Sequence, residues 1–467
     1  MNMIREKLSR AAVLCVLLIF VMQTAVLAAA KPTLSNIRFG SGVERDRIVF
    51  DFGNTGTPSY DVKEELGGLR VILTFAKLED AMLIKPPVRS SLISKVEYKK
   101  TEQGLKVIID LKEAAEHEVK ALKKPSRVYI NFSKQYEREE RREPAPGLEL
   151  TTYRRKDGRG LLTAYLLDVD MKQYKLSPVL ANGEVVGRDT VSGMSDSVNA
   201  AAAVNASYFA KSGEILGMLR INGTVVGTTY FTRSALGIKP SGAAFVAPVY
   251  YDGKVTIGNV TQQVSGVNSE RGENGLVIYN RYYDTTTGTN AYGREFIVRN
   301  GRVADIRQSN SPIPKNGYVI SVHGTSRNAF AKVRIGDPVT FTEDLGAQWG
   351  NVPTIIGAGP TLVKNGEVNV TSEDFPGDIT RGRAPRTGAA VLKNGHMLLA
   401  VVDGRQESSI GCTLEEFAEL LVKFGAQQAV NFDGGGSSEM VVGGEILNSP
   451  SDGSERKVGS ALAVFKK

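Results

Sequence analysis

Asp433 closes the apolar run 429–432 and is followed at once by Gly434, Gly435, Gly436, Ser437 and Ser438. A glycine loses more backbone freedom on ordering than any other residue. Three in succession beside a carboxylate mark backbone that must come very close to something: a tight turn, a ligand, or both. The carboxylate can serve as a base, a nucleophile or a stabiliser of positive charge, and the amides and hydroxyls can hold an anion or a sugar.

A second carboxylate occurs in a comparable setting, where the apolar run Met397–Val402 ends at Asp403-Gly404-Arg405. Pro385-Arg386-Thr387-Gly388 places an arginine beside a hydroxyl and glycine, which suits a phosphate or oxyanion cradle. Asn205-Ala206-Ser207-Tyr208-Phe209 follows another apolar run and offers Asn205 and Tyr208 as hydrogen-bonding groups. His323 follows the apolar run 318–322, and Arg456 precedes the last one, 458–465. The plainer reading of His323 is a structurally satisfied side chain, and that of the two aspartates is loop capping at strand ends. Paired carboxylates also permit a bound divalent cation such as calcium.

These groups need elements to bring them together. Residues 414–424 read as a helix. Thr413 can cap it with Glu416 as the capping-box partner, Leu414, Phe417, Leu421 and Phe424 share a face, and Gly425 stops it. Apolar runs on either side give a β-α-β pattern. With the usual right-handed parallel crossover, Asp403 and Asp433 fall at the carboxyl ends of two strands on one sheet edge, where open α/β sheets place ligands. Elsewhere after residue 148, Asn182-Gly183, Asn222-Gly223, Asn300-Gly301, Asn365-Gly366 and Asn394-Gly395 separate apolar stretches, the strongest short-range hairpin signal. The expectation is an α+β domain over 148–467, a strand-rich mixed sheet with one β-α-β unit.

Residues 34–75 and 93–132 repeat one another. Arg47-Ile48-Val49-Phe50-Asp51-Phe52 answers to Lys106-Val107-Ile108-Ile109-Asp110-Leu111. Arg70-Val71-Ile72-Leu73-Thr74-Phe75 answers to Arg127-Val128-Tyr129-Ile130-Asn131-Phe132. The alternation is that of strands, and two such units burying their apolar faces make an all-β sandwich over 31–133. Residues 134–147 read as a linker, its Glu/Arg run a short solvated helix ended by prolines.

Arg5, Lys7 and Arg10, the apolar run 11–22 and Ala28-Ala29-Ala30 read as a cleaved signal peptide over 1–30, with an uncleaved anchor as the alternative. The expected location is secreted or cell-envelope associated. Cleavage lowers the formal net charge from +8 to about +6 and leaves Cys412 without a disulfide partner. A residual positive charge suits an anionic wall polymer. Basic residues interspersed with acids, and the absence of any nucleic-acid motif, argue against DNA or RNA.

The repeat pattern resembles AMIN domains of exported envelope proteins, which implies cell-wall targeting. The blocks from residue 200 to 465 together resemble the phosphodiester glycosidase family: Asn205–Phe209, Gly-Pro-Thr-Leu-Val-Lys-Asn-Gly, Arg386-Thr387, Asp403-Gly404-Arg405, Asn431–Ser438, and Arg456 with the closing strand. Ala206-Ser207, Gly388 and Glu439 depart from the usual residues. The resemblance implies hydrolysis of the sugar C1–O bond in sugar-1-phosphodiesters such as those of N-acetylglucosamine. Catalysis then falls to Asp433, Asp403 and Arg386. Substrate binding falls to Asn205, Tyr208, Thr387, Arg405, Gly434, Gly435, Ser437, Ser438, His323 and Arg456. The substrate is an anionic glycopolymer or sugar phosphate. A non-catalytic wall- or polysaccharide-binding protein and a phosphodiesterase cleaving P–O are the competing readings.

Overall fold

The computed structural model describes residues 31–467 apart from 54–55, 79–84, 103 and 230. The expected signal peptide lies outside the described residues. Strand accounts for 50% of the structure and helix for 9%, so the helical part of the expected α+β domain is confined to a few short segments. The chain divides into two compact units, Met1–Tyr136 and Glu137–Lys467.

In the first unit the strands are β1 (Leu34–Ser41), β2 (Arg45–Phe52), β3 (Tyr60–Glu65), β4 (Arg70–Ala76), β5 (Ile93–Thr101), β6 (Gly104–Leu111), β7 (His117–Lys123) and β8 (Ser126–Ser133). They form two four-stranded sheets, ordered β1-β2-β8-β7 and β3-β4-β6-β5. The expectation that each repeat is one packing unit needs correction. Each repeat instead gives one hairpin to each sheet, and the two repeats meet strand to strand, with Phe50 opposite Val128 and Ile72 opposite Ile108. The reason lies in the central strands, whose backbones need partners on both sides. Ile48, Phe50, Leu73, Phe75, Val107 and Ile130, drawn from both sheets, belong to one buried cluster.

The second unit begins where a linker was expected. Residues Tyr136–Ala145 form β9, an edge strand followed by β10 (Leu148–Asp157) and β11 (Gly160–Val169). The Glu/Arg run meets opposite charge on β10 at two positions. Arg141 reaches Glu149 at 3.4 Å and Arg154 reaches Glu140 at 3.0 Å. A charged edge also discourages pairing with another chain.

The remaining strands that concern the site are β12 (Tyr174–Leu180), β13 (Ala202–Asn205), β14 (Thr361–Lys364), β15 (Glu367–Val368), β16 (Arg386–Leu392), β17 (Met397–Val402), β18 (Ala426–Asn431), β19 (Met440–Val442), β20 (Glu445–Ile446) and β21 (Ser460–Lys466). An eight-stranded sheet runs β15-β14-β18-β16-β17-β11-β10-β9, and a five-stranded sheet runs β12-β21-β13-β19-β20. Residues 219–357 contribute three further sheets with a buried core of their own around Phe296, Phe330 and Trp349.

Two helices matter here, α1 (Val191–Ser197) and α2 (Leu414–Lys423). Thr413 and Glu416 close the capping box of α2, and Leu414, Phe417, Ala418, Leu420 and Leu421 are buried. These residues share a cluster with Leu398, Ala400 and Val402 of β17, while Met397, Leu399 and Val401 face the cluster on the other side of the sheet. Every residue of β17 is therefore buried, which explains its unbroken apolar run.

The β-α-β unit is not the expected pair of neighbouring parallel strands. β16 lies between β17 and β18 and runs antiparallel to both. The sheet is thus antiparallel at each of these pairings rather than mixed, and the crossover through α2 skips one strand. Two strands antiparallel to a common neighbour are parallel to each other, so Asp403 and Asp433 still emerge at the same edge. Of the Asn-Gly pairs, those at 222, 300, 365 and 394 turn hairpins, and Asn182-Gly183 sits in a 3₁₀ turn instead.

Phe417 is fully buried and packs on Gly388 of β16, where a Cβ would lie 2.9 Å from its ring. Phe417→Ala is expected to cost about 3–5 kcal/mol, read as a lower denaturant midpoint with an unchanged slope.

Candidate active site

The edge of the large sheet assembles around Pro385. Its carbonyl accepts a hydrogen bond from Gly435 N–H at 3.0 Å, and a Cβ on Gly434 would lie 3.0 Å from the same oxygen. From the other loop, a Cβ on Gly404 would lie 2.6 Å from Pro385 N. The loops after β17 and β18 therefore converge on the residue that opens β16, and both need glycine to do so.

The three glycines after Asp433 each admit a different neighbour. Gly434 makes room for the Pro385 carbonyl. A Cβ on Gly435 would stand 3.2 Å from the Arg405 guanidinium, and one on Gly436 would collide with Arg456 and Asp452. Arg405 is exposed and holds a left-handed backbone, φ +61°, unusual for a residue with a side chain. Arg456 is also exposed and is tethered to Asp452 at 2.6 Å. Two guanidinium groups thus lie against the glycine turn.

Asp433 is half-buried. One of its oxygens accepts from Gly434 N–H at 3.0 Å. Burial pushes its carboxyl up to about 6, opposed by Ser437, the Gly434 amide and the charge on Arg456. Asp403 is more enclosed, 4% exposed, and accepts from Ser449 N–H at 3.0 Å. Burial lifts it likewise to about 6, opposed by Ser449 and Asn448. Its backbone carbonyl receives the Ser409 hydroxyl. Asp433 is thus the carboxylate with more room for a ligand, and Asp403 is the one held in the wall.

Asn205 ends β13 and is 1% exposed. Its amide donates to Asp433 O at 2.6 Å, and its Oδ1 accepts from Thr387 Oγ1 at 2.8 Å and from Glu439 N–H at 3.1 Å. Expected to bind substrate, Asn205 and Thr387 instead hold the Asp433 loop in place. Tyr208 donates to Gly359 O and accepts from Asn431, both at 3.0 Å, and burial raises its hydroxyl pKa.

Arg386 requires a clearer correction. It is 2% exposed and donates to the carbonyls of Cys412, Ile379 and Gly382 at 3.2, 2.7 and 3.1 Å. Burial lowers its pKa. A guanidinium so committed pins the 379–382 segment and the Cys412 turn rather than clamping an anion. His323 follows the strand Tyr318–Val322 in another sheet, beside Gly275 and Tyr292. Nothing in that position supports a substrate role for it.

Sequence reasoning passed over three groups. Asn448 braces the turn by donating to Ser438 O and accepting from Met440 N–H. Its only signal is the Asn-Ser-Pro turn at 448–450. Asn431 is buried with its Oδ1 unpartnered. Glu439 is 2% exposed with one unpartnered carboxyl oxygen. Burial, and then the neighbouring Glu455 carboxyl, push it up to about 8. The buried hydroxyls of Ser207 and Ser438 also lack hydrogen-bond partners. Buried polar atoms are rarely left unpaired, and those on Ser438 and Glu439 lie along the turn that follows Asp433. Among the described residues no cluster of three or more His, Cys, Asp or Glu side chains could hold a metal ion.

Glu439 generates a pH prediction. Its folded-state pKa lies above the ordinary 4.5, at about 8. The folded state therefore binds the proton more tightly than the unfolded chain does. The corresponding stability is full below pH about 4.5 and lost as pH rises through about 8. Glu439→Gln should match the parent in thermal unfolding at pH 4.5 and exceed it at pH 9 by several kcal/mol, on the order of 5 at most.

Comparison with known proteins finds short stretches of sequence similarity and a wider likeness of fold. An 80-residue stretch is 36% identical to an SPβ prophage-derived protein of Bacillus subtilis, covering 17% of this chain and 12% of that one. A 67-residue stretch is 40% identical to the Bos taurus N-acetylglucosamine-1-phosphodiester alpha-N-acetylglucosaminidase, covering 14% and 12%. The matched segment thus spans about an eighth of either relative. A solved structure from Synechocystis superposes with a TM-score of 0.64 at 20% identity, covering 94% of this chain and 81% of that one, which is a likeness of fold. Residues 292–465, which hold Arg386, Asp403, Arg405, the glycine turn and Arg456, match the model of the phosphodiester glycosidase family.

Proposed function

We propose that this protein hydrolyses sugar-1-phosphodiesters, breaking the sugar C1–O bond and releasing a phosphate monoester. The observation that carries the reading is the pairing of a half-buried carboxylate, Asp433, with two guanidinium groups laid against the adjacent glycine turn. The arginines hold the phosphodiester. Asp433 faces C1, water adds to C1 and gives its proton to Asp433, and the electron pair of the C1–O bond leaves with the phosphate. Ordinary glycosidases protonate a poor alcohol leaving group with a second carboxyl. A phosphate monoester, whose second pKa is about 6, leaves without that help. Asn205 and Arg386 act as positioning residues, fixing the loops on either side.

The substrate class we infer is an N-acetylglucosamine-type donor within a cell-envelope or extracellular glycopolymer. The basic and apolar N-terminus supports export, and the duplicated β unit, with its likeness to AMIN domains, supports attachment to the wall. The net positive charge suits an anionic polymer.

The test is hydrolysis of an N-acetylglucosamine-1-phosphodiester by the purified protein in oxygen-18 water. Label in the sugar is expected. Label in the phosphate would mean P–O cleavage, and no turnover across several sugar donors would favour a binding protein. Asp433→Asn should abolish turnover without lowering the thermal unfolding midpoint, and parent activity should decline as pH falls through about 6, where Asp433 gains its proton. Gly436→Ala, which displaces Arg456, should lower kcat/KM by about tenfold or more, the effect of losing one charge-assisted anion contact. Parental kinetics in that variant would exclude Arg456 from the phosphate site.

A further inference from the structure

Arg233 opens the strand Arg233–Ile238, away from the glycine turn. It is half-buried, and its guanidinium carbon lies 4.1 Å from the centre of the Phe375 ring and 5.9 Å from that of Phe231. One terminal nitrogen donates to Asp374 O at 2.7 Å, and Nε is buried without a partner. Among the described residues no carboxylate stands within ion-pair distance of it. The nearby Glu373 is fully engaged with Ser234 and Thr371 and with the Thr361 N–H. A half-buried cation without a counter-charge is costly, and aromatic faces offset only part of that cost.

The platform around Arg233 is rigid and connects to the site. Glu373 ties the 371–375 segment to β14 and to Ser234. The Phe375 ring packs 5.3 Å from that of Tyr208, whose hydroxyl binds Asn431, two residues before Asp433. Both Asp433 and Arg233 are close enough to Tyr208 to influence its ionisation, in opposite directions. From the buried Tyr208 ring a row of packed side chains therefore runs through Phe375 and Arg233 to Phe231, which is 52% exposed. An aromatic at the end of such a row suits the face of a sugar ring, and a partly exposed guanidinium stacked between rings suits a phosphate.

We propose that Arg233 and Phe231 form a second, outer subsite that takes the phosphodiester and sugar of the repeat unit adjoining the one being cleaved. The substrate is then a polymer with successive phosphodiester linkages rather than a single sugar phosphodiester. This rests on the hydrolase reading above for the identity of the inner site, but its binding arm can be measured independently.

The experiment compares a single N-acetylglucosamine-1-phosphodiester with an oligomer of three phosphodiester-linked units, using the whole protein. The parent should show a higher kcat/KM for the oligomer. Arg233→Gln should lose that advantage, about tenfold, the value of one charge-assisted contact, and leave the single-unit kcat/KM within about twofold. Phe231→Ala, at an exposed position where folding is not at stake, should reduce oligomer turnover in the same selective way. Binding of both ligands to Asp433→Asn, with and without Arg233→Gln, supplies a readout free of turnover. If the parent hydrolyses neither compound, the hydrolase reading falls, and selective loss of oligomer binding on Arg233→Gln still upholds the subsite. Equal loss for both ligands would show that Arg233 only supports the 371–375 loop. No oligomer preference in the parent would equally overturn the proposal.

Discussion

The side chain of Asn205 is the contact on which the site depends. It ends β13 in the five-stranded sheet, yet two of its side-chain hydrogen bonds reach the edge of the eight-stranded sheet, at Asp433 O and Thr387 Oγ1, while the third goes to Glu439 N–H, just before the neighbouring strand β19. Both sheets share the apolar cluster that contains Val204, Val401, Phe432 and Met440. Apolar packing is non-directional and would tolerate small slips between the layers. A buried amide with its acceptor saturated does not, because each slip leaves polar atoms unpaired in a dry place. The position of Asp433 is thereby referred to both layers at once.

That anchoring permits an electrostatic arrangement that would otherwise relax. Asp403, Asp433 and Glu439 all have carboxyl pKa values raised by burial. The cations that could neutralise them are kept apart from direct ion pairing. Arg386 is spent on three carbonyls, Arg456 is held by Asp452, and Arg405 lies over Gly435. Carboxylates buried without a directly paired cation are costly to stability, and perturbed groups of this kind gather at functional sites.

Much of this was legible in the residues. The capping box of α2 and the common edge of Asp403 and Asp433 follow from short-range patterns whose causes are local. What was not legible depended on partners distant in sequence. β16 entering between β17 and β18 leaves no mark on either strand, because antiparallel and parallel neighbours bury the same apolar faces. The Glu/Arg run at 137–143 reads equally as a solvated helix or an edge strand until β10 supplies opposite charges at matching positions. Arg386 looked like a phosphate ligand because its neighbours are small and polar. Only the fold shows that three carbonyls reach it first. The duplicated first unit followed the same logic, since repeat and sheet need not coincide when hairpins can be exchanged.

The glycine turn, finally, is shaped by what approaches it from outside rather than by its own bend. Of the three glycines only Gly435 has a positive φ, so a tight turn by itself requires one glycine. The other two are accounted for by the Pro385 carbonyl at Gly434 and by Arg456 with Asp452 at Gly436. A side chain at Gly436 would push Arg456 outward by about an ångström, a displacement of the size that costs a positioned ionic group much of its catalytic value, whereas one at Gly434 would press the Pro385 carbonyl by only a few tenths of an ångström. The triplet is thus explained by close approach of arginines to backbone beside a carboxylate. That arrangement is of use to a protein that must hold an anion next to a centre of developing positive charge, and it is hard to justify on grounds of stability alone.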